Sequence, residues 1–145
     1  MTGRTLAVVM ALVAGVAVWA LWPSKPLSDD DQVRALVEHA VDAANARDGA
    51  GVARALAADF HGNDGLSQGE LTLLVSRALG QQREVVVTTA KLEVTVRDGF
   101  HAGFVGTFVM FGRAGADPTQ GRTLFLEASL EKREGQWLVT QANWH

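Results

Sequence analysis

The chain has no cysteine and no tyrosine in its 145 residues. Without cysteine there is no disulfide, no thiolate metal site, no cysteine nucleophile and no lipid-modified cysteine. The absence is mute about redox compartment. Without tyrosine, one common general acid is missing. Proline is scarce, at 3, and the 48% apolar fraction is ordinary for a folded chain despite 15 glycines, which argues against low-complexity disorder. Positive charge is not in excess either. A formal net charge of −3 leaves no basic footprint for nucleic acid, so no nucleic-acid partner is expected. No motif asks for a cofactor, and no spacing of His, Asp and Glu demands a metal. The length fits about one domain.

What the chain does have is a long uncharged run. Residues 5–22, TLAVVMALVAGVAVWALW, carry no charge. As a helix they would span about 27 Å at ~1.5 Å per residue, close to the ~30 Å hydrocarbon core of a bilayer. Arg4 and the amino group precede the run, and Asp29, Asp30 and Asp31 follow it. That asymmetry keeps the short leading end inside. Trp19 and Trp22 fall at the outer end, where indoles prefer the interface. The expected order is a cytoplasmic end (1–4), a transmembrane signal-anchor helix (5–22) in contact with the lipid bilayer, a stiff linker (23–27) and an exported domain (28–145). The expected location is the inner membrane, single pass, with the C-terminal domain on the periplasmic or outer side. A cleaved signal peptide is the competing reading. Val18-Trp19-Ala20 is a poor cleavage site, which favours the anchor.

The exported part reads as helices followed by strands. Ser28 is a good N-cap, Asp29–Asp31 suit the first turn, and Val33, Leu36, Val37, Ala40, Val41 and Ala44 form an apolar stripe ending near Arg47. Asp48 can cap a second helix carrying Val52, Leu56 and Phe60. Asp59 to Gly65 is turn-rich, and Ser67 with Glu70 forms a capping box for a third helix striped by Leu71, Leu74, Val75, Ala78 and Leu79. After Arg83 the period changes to two, with Val86, Ala90, Leu92, Val94 and Val96 on one face. Asp98-Gly99 signals a hairpin, 100–112 a second strand, 114–121 a loop, 122–134 a third strand, and Glu134-Gly135 a turn into 136–144. The expected fold class is α+β: three N-terminal helices on one face of a curved antiparallel sheet of about four long strands, preceded by the transmembrane helix.

Three stretches carry a family likeness. AANARD, residues 43–48, closes the first helix; VARALAADF, residues 52–60, follows it; GQWLV, residues 135–139, opens the last strand. In this order and spacing the chain, from Ser28 to Trp144, resembles the nuclear transport factor 2-like superfamily, a cone of helices cupped by a curved sheet. That resemblance implies the fold. It does not imply an activity, because the superfamily holds isomerases, dehydratases, hydrolases, cyclases and many non-catalytic modules. The steroid isomerase-like members use a tyrosine with carboxylates, an arrangement that this chain cannot supply.

Asp59, His61, Asp64, Glu127 and the remaining histidines are what is left for acid/base chemistry. His61 and Asp64 follow the second helix, in a region that reaches the mouth of the cone in the superfamily. Plain turn chemistry explains Asn63-Asp64-Gly65 equally well. Glu127 shares a strand face with Phe125 and Ser129, opposite Leu124, Leu126 and Ala128. It is a carboxylate in an apolar pocket if that face is inside, and a solvated charge if it is outside. His39 lies off the apolar stripe and is expected in solvent; His101 is expected at the sheet edge. The strand 100–112 is apolar on both faces, with Phe100, Phe104, Phe108 and Met110 on one and Val105, Val109 and Phe111 on the other. A strand that is apolar on both faces needs a second layer beyond the helices. A homodimer through the sheet face or the 114–121 loop can provide it. Phe104, Phe108, Met110, Phe111, Phe125 and Trp137 are therefore the expected cavity or interface residues. The leading expectation is a membrane-tethered, non-catalytic binding or assembly module in the bacterial cell envelope, with a small apolar ligand in its pocket or a partner on its sheet. The rival is a small-molecule lyase, isomerase or hydrolase using Glu127 or the His61/Asp64 pair in the cavity.

Overall fold

The computed structural model describes residues 27–114, 117–118 and 121–145. The expected anchor, 5–22, lies outside the described residues. Among the described residues no helix is long and apolar enough to cross a membrane.

The first helix, α1 (Asp29–Asn45), begins where the cap chemistry places it. The Ser28 hydroxyl accepts the Asp31 N–H at 3.1 Å, and three aspartates fill the first turn. Val33 and Val37 are buried on its inner side. Its far end is fastened to the sheet by Asn45. The Asn45 side-chain amide donates to the Val87 carbonyl at 3.1 Å and accepts the Val87 N–H at 2.6 Å. Arg47 then takes a left-handed conformation (φ 56) that turns the chain away. Asp48 caps α2 (Gly49–Ala53) by accepting the Gly51 N–H at 2.9 Å.

Here the structure corrects the helical reading of residues 52–60. The helix stops at Ala53, and Leu56–His61 form a strand, β1. The spacing of Val52, Leu56 and Phe60 suits a helix. What overrides it is a tertiary partner: β1 pairs in parallel with β6 (Gln136–Trp144), and the Val139 N–H donates to the Ala55 carbonyl at 2.8 Å. A short 3-10 turn, Asn63–Gly65, follows β1, with Asp64 (φ 57) and Gly65 (φ 75) both left-handed. Its Asn63 side chain exchanges two hydrogen bonds with the Trp144 backbone, 2.6 and 3.1 Å, pinning the turn to the end of β6. The Ser67/Glu70 capping box starts α3 (Gln68–Gly80): the Glu70 N–H donates to the Ser67 hydroxyl at 3.2 Å, and that hydroxyl donates back to the Glu70 carboxylate at 3.0 Å.

Strands β2 (Glu84–Val96), β3 (His101–Ala114), a two-residue β4 (Asp117–Pro118) and β5 (Arg122–Arg133) complete the sheet. The order is β1-β6-β5-β3-β2, with β4 beside the end of β3. There are thus five strands on the main path rather than about four, and the expected 114–121 loop contains β4. Both hairpins form as the turn residues dictate. At the first, the Asp98 carboxylate accepts the Phe100 and His101 N–H groups, at 2.7 and 2.8 Å. At the second, Glu134 (φ 51) and Gly135 (φ 77) are both left-handed, as a type I′ turn requires. Phe100 belongs to the first hairpin and is exposed, not part of the inner row expected for it.

The alternation expected along β2 is broken once. Thr89 pairs with Phe108 and Lys91 with Thr107, so Ala90 is an extra, unpaired residue. Such a bulge exchanges the two faces of a strand. Leu92, Val94 and Val96 point inward after it, but Val85 and Val87 do so before it, leaving Val86 and Ala90 outside. The helices pack on one sheet face, and the buried core joins Val33 and Val37 to Phe60, Phe104, Leu130, Trp137 and Val139.

Candidate functional site

Between the helices and the sheet lies a cavity of about 420 Å³, within the ~300–1,000 Å³ typical of small-molecule sites. The second half of α1 roofs it with Leu36, Val37, Ala40, Val41 and Ala44. The stripe Leu71, Val75, Ala78 and Leu79 of α3 forms one wall. The sheet supplies Val85 and Val87, Phe104, Phe108 and Met110, Leu124, Leu126 and Ala128, and Val139, Ala142 and Trp144, and the remainder is Val52, Ala55, Leu56 and Phe60. Every lining residue is apolar. The indole of Trp144 carries the one side-chain N–H among them.

The space exists because α3 stands away from most of the sheet. Its close backbone approaches are to α2 and β1. Gly49 makes this close approach: a Cβ there would collide with the backbone of Ser76. As a result no residue of α3 is buried: Leu71 packs against the edge of the core, and Val75, Ala78 and Leu79 face the cavity. The cavity wall is buried at Phe60, Phe104, Phe108 and Ala128 but only half-buried at Leu79, Val85, Met110 and Leu124. It therefore opens at the end formed by the start of β2, the end of β3 and the start of β5. Arg83 and Arg122, not singled out from the sequence, stand just beyond that opening.

The opposite end of the cone is closed. Asp29, in the first turn of α1, accepts from the Lys132 ammonium at 3.0 Å and from the Trp137 indole at 3.2 Å, while Lys132 lies 5.8 Å over the same ring. Trp137 is thus a packed anchor below the start of α1 and does not line the large cavity.

Of the other expected cavity or interface residues, Phe104, Phe108 and Met110 face the cavity, whereas Phe111 and Phe125 lie on the outer sheet face. Phe125 stacks on His145 with centroids 5.5 Å apart, and Gly121 lies against the Phe111 ring. Glu127 is exposed on that same outer face, between Val105 of β3 and Asn143 of β6. His61 and Asp64 are exposed at the β1 edge and in the turn after it. None of the three borders the cavity, and they do not converge with one another. His39 is exposed, and His101, at the start of β3, meets the Asp98 carboxylate at 3.1 Å.

Asp59 is held by Arg133 in a two-pronged ion pair, 2.6 and 3.0 Å, across the sheet surface. The hydrogen-bonding guanidinium keeps this carboxyl below the usual carboxylate range, and Asp59 together with Glu131 pushes the Arg133 pKa up. The Asp98 carboxyl is lowered by the Phe100 N–H and then by His101. These perturbations belong to a surface ion pair and a turn, both away from the cavity. Among the described residues no three His, Asp or Glu side chains cluster in a way that could hold a metal.

No protein-family model and no curated protein matches the chain. Solved structures do. A protein from Xanthomonas campestris, provisionally named a calcium/calmodulin dependent protein kinase II association domain, superposes with a TM-score of 0.69 at 17% identity, covering 84% of this chain and 91% of that one. A protein from Novosphingobium aromaticivorans DSM 12444, provisionally named a scytalone dehydratase, gives 0.68 at 10% identity over 79% and 81%. A nuclear transport factor 2-like protein of unknown function from Pseudomonas putida KT2440 gives 0.65 at 21% identity over 79% and 84%. At these identities the likeness speaks for the fold alone. The described residues of this chain have the α+β, cystatin-like fold of the nuclear transport factor 2-like proteins.

Proposed function

We propose that this protein is a membrane-tethered, non-catalytic binding module that takes a small apolar ligand into its cone. The observation that supports this reading is the lining. A general acid or base has to reach a substrate atom within hydrogen-bond distance, and the cavity offers no carboxylate, imidazole, hydroxyl or amine. Some structural neighbours carry provisional enzyme names. An enzyme of that kind built on this chain would need a polar group inside the cone, and Glu127, His61 and Asp64 all lie outside it.

Native mass spectrometry of the full chain, released from mild detergent, tests the reading. The expected result is a co-purified apolar molecule that is lost in Val75→Trp, which fills the cavity from α3. An empty parent that also fails to take up an added apolar probe would overturn it.

The tether is the uncharged segment 5–22, with the C-terminal domain outside the inner membrane. Alkaline phosphatase fused after His145 should be active and fractionate with the membrane. An inactive or soluble fusion rules the tether out. The outer sheet face suits a homodimer: Val86, Val105, Phe111 and Phe125 keep between 45% and 52% of their surface exposed there. One neighbour's name, association domain, is in keeping with assembly through this fold.

A further inference from the structure

The opening of the cavity has a chemistry of its own. Arg122 lies two residues before the lining residue Leu124, and its partner across the ladder is the lining residue Met110. Arg83 lies two residues before the lining residue Val85, at a bend just outside β2, and its N–H ties it to the end of β3 by donating to the Arg113 carbonyl at 2.6 Å. Side chains two apart on a strand share a face. Arg122 therefore leaves β5 on the cavity side, one step past the last apolar lining, and Arg83 stands at the same end, just before β2 begins. Arg47, whose guanidinium donates to the Gln82 carbonyl, and Arg77, in the last turn of α3, stand at the same end.

Arg83 and Arg122 are exposed, and neither is ion-paired with a carboxylate of residues 27–113 or 121–145. Two nearby carboxylates are otherwise placed. Glu84 takes the outer face by the same alternation, and Asp48 caps α2. The chain as a whole is acidic, at −3, so this clustering of cations is local.

An exposed arginine by itself is a solvated charge. At the mouth of a wholly apolar cavity it does more. The lining has no carboxylate, hydroxyl or amine for a polar head, so a head drawn inside would lose most of its water uncompensated. It has to stop at the opening, where it meets guanidinium forks matched to carboxylate and phosphate oxygens.

We propose that the ligand is an anionic amphiphile, with its hydrocarbon part in the cavity and its carboxylate or phosphate head on Arg83 and Arg122. This rests on the apolar-ligand reading above and narrows it to a class.

The test uses the full chain in zwitterionic phospholipid nanodiscs, with empty discs as the partition blank. Decanoate, decyl phosphate and decanol share one chain and differ in the head. Calorimetric titration should show decanoate or decyl phosphate binding about tenfold or more tighter than decanol, the step expected of a charge-assisted pair. The stronger of the two anions identifies the head. Arg83→Gln with Arg122→Gln should bring the anions down to the decanol level and leave decanol unchanged, while the paired lysine variant keeps part of the preference. Decanol binding as tightly as both anions, or a preference that survives the double glutamine change, overturns the proposal and leaves the apolar reading standing. If none of the three binds beyond the blank, the apolar reading itself falls.

Discussion

The two ends of the cone are built from similar side chains and behave differently. At the closed end, Val33, Leu130, Ala102 and Trp137 interlock, and Asp29, Lys132 and the Trp137 indole join the start of α1 to the last hairpin. At the open end, Leu79, Val85, Met110 and Leu124 face each other across a void. Composition does not separate them. Helix placement does, because α1 lies along the sheet, whereas α3 rests on α2 and on the β1 edge. Packed apolar surface stabilises, while facing but separated apolar surface forgoes part of that gain and leaves a site.

If that contrast is right, substitutions should separate the ends by size of effect. Leu130, with 1% of its surface exposed, and Trp137 hold the closed end. Leu130→Ala should cost about 2–5 kcal/mol and Trp137→Ala about 3–5 kcal/mol in chemical denaturation. Trp137→Ala also strips Asp29 of a donor. Either variant unfolding at the parent midpoint would erase the distinction.

Next in size is the wedge between α2 and α3. Gly49→Ala pushes a methyl into Ser76 and should cost about 1–3 kcal/mol. Because it shifts the wall of the cavity, it should also alter probe affinity, which a calorimetric titration would detect.

Leu124→Ala, at the open end, should cost about 1 kcal/mol or less by denaturation, since the side chain removed leaves the cavity wider without unpacking a filled layer. A loss as large as that of Leu130→Ala would mean that the open end is packed after all.

The ion pair of Asp59 with Arg133 sharpens the picture from the surface. The folded-state pKa of Asp59 is depressed, so its contribution is present above the ordinary value of 3.8 and fades as pH falls through the lower folded value. Asp59→Asn should flatten the fall in melting temperature on acidification below about pH 4 and leave the cavity's probe affinity untouched. An unchanged acid limb would show that the pair contributes nothing.

The smallest expected effect is at Glu127. Exposed on the outer face, Glu127→Gln should change stability by less than about 0.5 kcal/mol and complement a deletion strain as the parent does. A folded, correctly located variant that fails to complement would return the carboxylate to the list of working groups.

Local chemistry was enough to read much of the fold. Caps at Ser28, Asp48 and Ser67 act through hydroxyl or carboxylate groups on N–H donors three residues away, so they are visible in a few consecutive letters. The Asp98-Gly99 and Glu134-Gly135 turns are equally local. Strict alternation on β3 and β5 put Phe104, Phe108 and Met110 on one face and told apart the two faces on which Leu126 and Glu127 lie, while which face is inside was decided by where the helices pack.

What depended on distant partners was read wrongly or missed. Leu56 to Phe60 fits a helix until β6 offers an unpaired edge. The bulge at Ala90 reverses a parity that nothing in the neighbouring letters disturbs, because its cause is the register against β3. The cavity arises from where α3 comes to rest, and its arginines come from positions 39 residues apart, Arg83 and Arg122, brought to the same end only by the sheet. Caps, turns and alternation are short-range interactions and travel with the sequence. Emptiness and convergence are properties of elements packed together, and they appear only when the chain has folded.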